Sequence, residues 1–439
     1  MDPGMRLDAG VPPMSRRALL AATFVAGTTH RTRAAAPAPV PKATPTERVR
    51  VAVMGVNGRG AALARSFAAD PRGEVVTLCD VDSRVAGPLA EALGRAGRTP
   101  RVEHDIRRVL DDRDVDALVV AAPNHWHAPA TILACRAGKH VYVEKPCSHT
   151  PEEGELAVAA ARKHDRVVTM GTQRRSWPGI RDAIARVQAG AIGEVRLART
   201  WYAARRGTVG RRRPTPPPAW LDWTLWQGPA PERPFRENIV HYNWHWYWHW
   251  GNGELGNNGV HGIDLARWAL GVEFPTRVTA GGGRLYHDDD QETPDTMGVT
   301  FAFPGARMIT WEGLSCVPAG LDGTGFGVWL VGTGGSVILG GRDTWKRLDA
   351  TGKVVEESPV EGGDAAHVAD FLECVVAGGT PHADIVEAHR STLLCHLGNI
   401  AWRTGGVVTT RAEDGHIVDD AVAAAHWGRE YRDGWNIRG

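Results

Sequence analysis

The run Gly55-Val56-Asn57-Gly58-Arg59-Gly60 has the composition of a turn that holds phosphate. Gly55 permits a tight reversal and Gly60 lets a helix pack closely on a strand. N–H groups at the start of that helix then point at an anion. The spacing departs from G-x-G-x-x-G, because Asn57 stands at the middle glycine and Gly58 follows it. Asparagine tolerates a left-handed backbone, so the turn stays available. About 20 residues further on, Asp80 ends an apolar run, where a carboxylate bonds the hydroxyls of an adenosine ribose and repels a 2′-phosphate. Gly55, Asn57, Gly58, Arg59, Gly60 and Asp80 are therefore candidate cofactor contacts, and they predict NAD, with NADP disfavoured.

The elements that must position these residues follow a regular rhythm. Residues 49–54 read as a strand and 61–69 as a helix. Residues 74–79 read as a strand, 84–95 as a helix, 115–121 as a strand, 128–137 as a helix and 141–143 as a strand. A helix over 151–164 and a strand over 167–170 complete the series. Strands alternating with helices at this spacing predict an α/β domain over residues 48–171, a doubly wound parallel sheet of the Rossmann kind. Ligands of such sheets sit beyond the carboxyl ends of the strands. Pro123, Asn124, His127, Glu144 and Lys145 fall there and join the candidate cofactor contacts. A lysine buried at a strand end has its pKa lowered, and can then take a proton from a hydroxyl. Gln173-Arg174-Arg175 follows the sixth strand, where two domains meet. Gln173 is placed within reach of the cofactor and Arg175 within reach of substrate.

Composition narrows the partners. The chain has 439 residues, 51 Lys+Arg against 50 Asp+Glu and a net charge of +1, so no global field steers it to nucleic acid or an anionic membrane. Its 17 tryptophans are concentrated between Trp177 and Trp250. Indole faces stack on the C–H faces of a sugar, which makes Trp244 and His245 candidate substrate contacts for a carbohydrate. His241, His245 and His249 have helical i, i+4, i+8 spacing, yet no carboxylate or cysteine completes a ligand set and nearby Gly and Asn oppose a long helix, so no metal is predicted. The arginines at 205–206 and 211–213 read as a solvated loop. The six cysteines lack a C-x-x-C pair and read mainly as core thiols.

Residues 1–36 differ from the rest. Ser15-Arg16-Arg17-Ala18-Leu19-Leu20 precedes a short apolar stretch and small residues, the pattern of a twin-arginine export signal. The stretch is too short to span a bilayer. A Pro/Ala linker over 37–47 follows, so the expected location is periplasmic or secreted, with no membrane insertion after signal cleavage.

V-A-V-M-G-V-N-G-R-G, C-D-V-D, A-A-P-N-H-W-H, A-G-K-H-V-Y-V-E-K-P and A-G-A-I-G-E-V together resemble the glucose-fructose oxidoreductase/inositol dehydrogenase family, NAD(P)-dependent enzymes of sugars and polyols. The resemblance implies a second α/β domain over 172–439, built on a large open, mostly antiparallel sheet through which a homo-oligomer forms. It assigns Lys145 to the nicotinamide ribose and the substrate hydroxyl. It also implies a D-x-x-x-H element, onto which His261 falls as a catalytic residue that also touches substrate. The aspartate position holds Asn257, which can orient a substrate hydroxyl but cannot take its proton. Asp264, one turn after His261, is expected to orient that ring or raise its pKa, and is the third catalytic candidate. The implied activity is oxidation of a secondary hydroxyl with a cofactor that stays bound. The alternatives are a redox-neutral glycosidase or lyase and a non-catalytic sugar binder.

Overall fold

Six short strands rich in valine alternate with helices between Val49 and Met170: β1 (Val49–Met54), β2 (Gly73–Cys79), β3 (Arg101–Glu103), β4 (Ala117–Val120), β5 (His140–Val143) and β6 (Val168–Met170). The computed structural model describes residues 48–358 and 362–438. The expected signal and linker over 1–47 lie outside the described residues. All six strands are parallel, in the order β3-β2-β1-β4-β5-β6. This is the dinucleotide-binding order, with the strand order reversing between β1 and β4. Every residue of β4 is buried, as its unbroken Ala-Leu-Val-Val requires of a strand covered on both faces. The helices α1 (Arg59–Ala69), α2 (Ala86–Gly94), α3 (Ile106–Asp111), α4 (Asn124–Arg136) and α5 (Pro151–Lys163) follow the first five strands.

The second body starts with α6 (Pro178–Gln188) and a nine-stranded sheet. Its strands are β7 (Val195–Ala203), β8 (Arg277–Gly283), β9 (Thr296–Phe303), β10 (Arg307–Leu314), β11 (Phe326–Gly332), β12 (Gly335–Leu339), β13 (Trp345–Asp349), β14 (Val354–Ser358) and β15 (Val407–Thr409). All pairs are antiparallel except β7 with β10. β11 and β12 form a hairpin, since Thr333 and Gly334 reverse the chain. Met297, Val299, Phe301 and Phe303 alternate inward along β9, where α8 (Val260–Leu270) and α10 (Ile385–Arg403) cover the sheet. The short helices α7 (Trp223–Gln227) and α11 (Ala421–Ala424) lie in the connections, and α9 (Asp364–Ala377) follows β14.

A boundary at residue 171 is not a clean cut in space. Val368, Phe371 and Leu372 of α9 join Phe67 and Tyr142 in one buried cluster, with the Phe67 and Phe371 rings 6.0 Å apart edge to face. The second half thus supplies a helix to the first half's core. All six cysteines are free, five of them buried. Among the described residues no helix is long and apolar enough to cross a membrane.

Candidate active site

Gly55 has φ +80°, and a Cβ there would sit 2.8 Å from the backbone of Ala121 and Ala122. Gly60 is tighter: a Cβ would come within 1.7 Å of the Gly55 carbonyl oxygen. Gly58, at φ +65°, faces open space and caps α1 without a side chain. The first N–H groups of α1 are therefore left for a ligand. Asp80, at the end of β2, accepts from Val56 N at 2.6 Å and from Asp82 N at 2.9 Å, which ties it to the glycine turn. Burial pushes its pKa up, and those backbone donors oppose the rise.

Gly55, Gly58 and Asp80 border a cleft of about 620 Å³ at the carboxyl ends of the parallel strands. Gly55, Asn57, Gly58, Arg59, Asp80, Pro123, Asn124, His127, Glu144, Lys145, Gln173, Trp244, His245, Asn257 and His261 all line it. Three of its lining residues, Asn124, Gln173 and His261, each carry a buried polar atom with no protein partner (Oδ1, Oε1 and Nδ1). Buried polar atoms are seldom left so, and a polyhydroxylated dinucleotide with its substrate supplies the missing partners. Glycine turn, bare helix start and orphaned polar atoms together fit NAD.

The chemistry centres on Lys145, whose peptide to Pro146 is cis. Its Nζ donates to the carbonyl oxygen and to Oδ1 of Asn257, each at 2.8 Å. Asn257 lies in a π-helical turn, Leu255–Gly259, that runs directly into α8. Such widened turns recur at functional sites. Asn257 Nδ2 donates to the Tyr242 hydroxyl at 3.2 Å and to Glu254 Oε1 at 3.4 Å, so the amide can present only its oxygen to the lysine. Burial lowers the Lys145 pKa, against the pull of Glu144 and Glu254. His261 and His245 are held well below the ordinary histidine range by burial and by the Lys145 charge, so both rings are neutral. His245 donates from Nδ1 to the Tyr242 carbonyl at 2.6 Å and stacks on Trp244, ring centres 3.5 Å apart.

Three expectations need correction. Asp264 is buried and accepts a forked pair of hydrogen bonds from Arg175 at 2.8 to 3.0 Å, plus one from the Ser391 hydroxyl at 2.6 Å. It forms no hydrogen bond to His261 and does not line the cleft. Arg175, expected at substrate, is buried in this pair, and its guanidinium also meets the His382 carbonyl at 3.5 Å and Glu387 at 3.6 Å. Helical spacing placed Asp264 near His261, but a buried carboxylate takes the strongest fork available, supplied by a residue remote in sequence. Gly60 serves packing and does not border the cleft either.

Other candidates are present but engaged. Arg59 pairs with Glu144 at 2.7 Å and with Asp364 of α9 at 2.6 Å. Both His127 ring nitrogens face backbone carbonyls, of Pro146 at 2.6 Å and Ala122 at 2.7 Å. His241, His245 and His249 turn to separate partners, Asp82, Tyr242 and Pro231. No group of three His, Cys, Asp or Glu among the described residues could hold a metal ion.

The sequence reading missed Glu254, which accepts from Arg206, Asn257, Asn258 and Ser315 and anchors the π turn. A lone carboxylate in the Gly- and Asn-rich run 251–259, three residues before Asn257, was the available signal. Of the tryptophans, Trp126, Trp226 and Trp244 line the cleft. Trp223 stacks behind Trp226 at 4.6 Å, and Trp250 meets both edge to face. The stack is the core of a segment laid from the second body over the first. Ser83 N donates to the Trp220 carbonyl and Asp222 N to the Val81 carbonyl, each at 3.0 Å. Trp126 Nε1 donates to the Trp226 carbonyl at 2.9 Å.

A parallel sheet of this order, closed by an open mixed sheet and carrying a lysine at the cleft, defines an NAD-binding oxidoreductase fold. The chain belongs to the Gfo/Idh/MocA family: the model for the oxidoreductase family's NAD-binding Rossmann fold matches residues 49–172, and that for its C-terminal alpha/beta domain matches residues 198–437. It is 28% identical to a levoglucosan dehydrogenase of Pseudarthrobacter phenanthrenivorans over 44% of this chain and 42% of that protein, less than half the relative's length. It is 25% identical to the scyllo-inositol 2-dehydrogenase (NAD(+)) of Bacillus subtilis over 77% of this chain and 90% of that one. A levoglucosan dehydrogenase solved with NADH and levoglucosan shares the fold, with a TM-score of 0.65 and 19% identity over 83% of this chain and 99% of that chain.

Proposed function

We propose that the protein is an exported, NAD-dependent oxidoreductase of a secondary hydroxyl on a sugar, polyol or glycoside, and that its cofactor stays bound through turnover. The observation that carries this reading is Lys145 in the cleft beside the glycine turn, with Nζ held by the two oxygens of Asn257. Bound NAD supplies the two-electron hydride chemistry. Lys145 takes the hydroxyl proton. As a neutral amine it has two hydrogens, which satisfy the two Asn257 oxygens and leave its lone pair for the substrate. Asn257 cannot carry that proton onward. His261, a neutral ring with an unpartnered Nδ1, orients the same hydroxyl and offers a second proton acceptor. Trp226 and Trp244 wall the cleft and offer apolar faces to a sugar ring.

The segment hydrogen-bonded across the cleft through Trp220, Asp222 and Trp226 supports a retained cofactor. So does the twin-arginine pattern at Arg16-Arg17, since free NAD is scarce outside the cytoplasm and loading before export then precedes every turnover. Two relatives are named as dehydrogenases of levoglucosan and scyllo-inositol, which supports a neutral polyol, and the nearly balanced charge agrees. Native mass spectrometry of freshly isolated protein should show one NAD(H) per chain, and a panel of sugars and polyols should change its absorbance at the reduced-nicotinamide band. Cofactor-free protein contradicts retention. Glycoside cleavage without any net absorbance change favours the redox-neutral alternative.

A further inference from the structure

A second cavity, about 210 Å³, is lined by His149 and Asn252, which stand close in sequence to Lys145 and Asn257. It is smaller than the roughly 300–1,000 Å³ of ordinary small-molecule sites. His149, Asn252, His396, Arg403, His426 and Arg429 line it. It shares no lining residue with the cofactor cleft.

Its polar groups are unevenly satisfied. Arg403 lies over the Trp248 ring at 5.0 Å, and among the described residues its guanidinium has no hydrogen-bond or ion-pair acceptor. Arg429 spends two nitrogens on Glu153 and the His125 carbonyl, and its Nη1 is buried without a partner. His149 donates from Nε2 to the Gly251 carbonyl at 3.2 Å, so the partnerless Nδ1 is an acceptor. Asn252 donates from Nδ2 to the His149 carbonyl at 2.9 Å, so its partnerless Oδ1 is an acceptor too. Burial pushes His149 well below the ordinary histidine range and His396 down to about 3, so those rings are neutral. With Arg429 balanced by Glu153, the remaining positive charge is Arg403, which is exposed at the cavity and faces only Glu292, a carboxylate beyond ion-pair distance that also pairs with Arg233 at 3.8 Å.

We infer that this cavity is a binding site for a small monoanion that also carries a hydroxyl. Two guanidinium groups demand anionic oxygen, and the two acceptors demand O–H, a combination found in dihydrogenphosphate and in two- or three-carbon hydroxycarboxylates. The cavity is joined to the active site by the chain itself. The segments that meet at Lys145 and Asn257 meet again at His149 and Gly251-Asn252, and Asn399 Nδ2 holds the Asn252 carbonyl at 2.9 Å.

Calorimetric titration of NAD-saturated protein with inorganic phosphate, and separately with lactate, tests the site at constant ionic strength. One probe should bind one-to-one in the millimolar range or tighter, and the tighter one identifies the source of the anion. Arg403→Gln should weaken binding by about tenfold or more, and Arg403→Lys should restore part of it. His426→Trp, which enlarges a side chain lining the cavity, should abolish binding should the arginine variants fail to fold. Absence of saturable binding by both probes, or binding in Arg403→Gln and His426→Trp equal to that of the parent, overturns the proposal. Phosphate bound at the glycine turn would be displaced by NAD and untouched by these variants, so failure of the cofactor reading is distinguishable.

Discussion

Lys145 Nζ lies 2.8 Å from both oxygens of a single residue, the backbone carbonyl and the side-chain Oδ1 of Asn257. Neither oxygen is charged. A carboxylate at that position would hold the lysine as ammonium, whereas an amide does not oppose its neutralisation by burial. The proton acceptor of the proposed reaction is thereby set by a residue that itself cannot accept a proton.

Asn257→Asp should raise the Lys145 pKa, because an adjacent negative charge favours the ammonium form. The base must be neutral to act, so the acid limb of the kcat/KM profile should move to higher pH and activity at neutral pH should fall. An unmoved limb measured over pH 6–10 would show that Lys145 is not the titrating base.

Lys145→Met should lower kcat by about 10²–10⁴-fold while the protein still holds NAD. Lys145→Arg should fare no better, because a guanidinium cannot deprotonate. Stopped-flow turnover with fluorescence-monitored NADH binding separates loss of chemistry from loss of cofactor.

Asp264→Ala should act on stability and not on the pH profile. Removing one partner of the buried Arg175–Asp264 pair costs about 3–5 kcal/mol, read as a lower denaturation midpoint. Below that midpoint kcat should stay within a few-fold of the parent. A collapse of kcat in folded protein would return Asp264 to the catalytic set.

That misplacement marks where sequence stops being informative. The glycine turn and Asp80 were legible because each answers a local demand: Gly55 and Gly58 take positive φ, and Asp80 ends a strand. Lys145 was legible through its place at a strand end. Arg175 and Asp264 are 89 residues apart, and no periodicity connects them. The tryptophan cluster announced an aromatic wall, but which rings face the cleft depends on how they stack on one another. Trp223 and Trp250 proved to be support for Trp226.

Trp244→Leu should raise KM by about tenfold with a smaller change in kcat, since it removes an apolar face of the cleft that contacts ground state and transition state alike. Trp223→Ala removes the packing behind that wall, and should cost about 3–5 kcal/mol of stability. Steady-state kinetics and chemical denaturation distinguish the two effects.

Acid should destabilise the fold before its carboxylates titrate. His140, His249 and His389 are pushed down to about 4 and His396 to about 3, chiefly by burial. The unfolded chain binds protons at these rings from about pH 6.5 downward, while the folded one does not until near pH 4. Stability is therefore full above pH 6.5 and is lost progressively as the pH falls toward 4. Denaturation midpoints at pH 7.5 and 5 should differ clearly, and equal midpoints would contradict the neutral burial of these rings.

The most direct test of the central claim is a single turnover followed at the reduced-nicotinamide absorbance, with NAD-loaded protein and a panel of sugars, polyols and glycosides. The account predicts an absorbance rise with at least one polyhydroxylated substrate in the parent protein, and none in Lys145→Met at equal NAD occupancy. No rise with any member of the panel, or an equal rise in the variant, would contradict it.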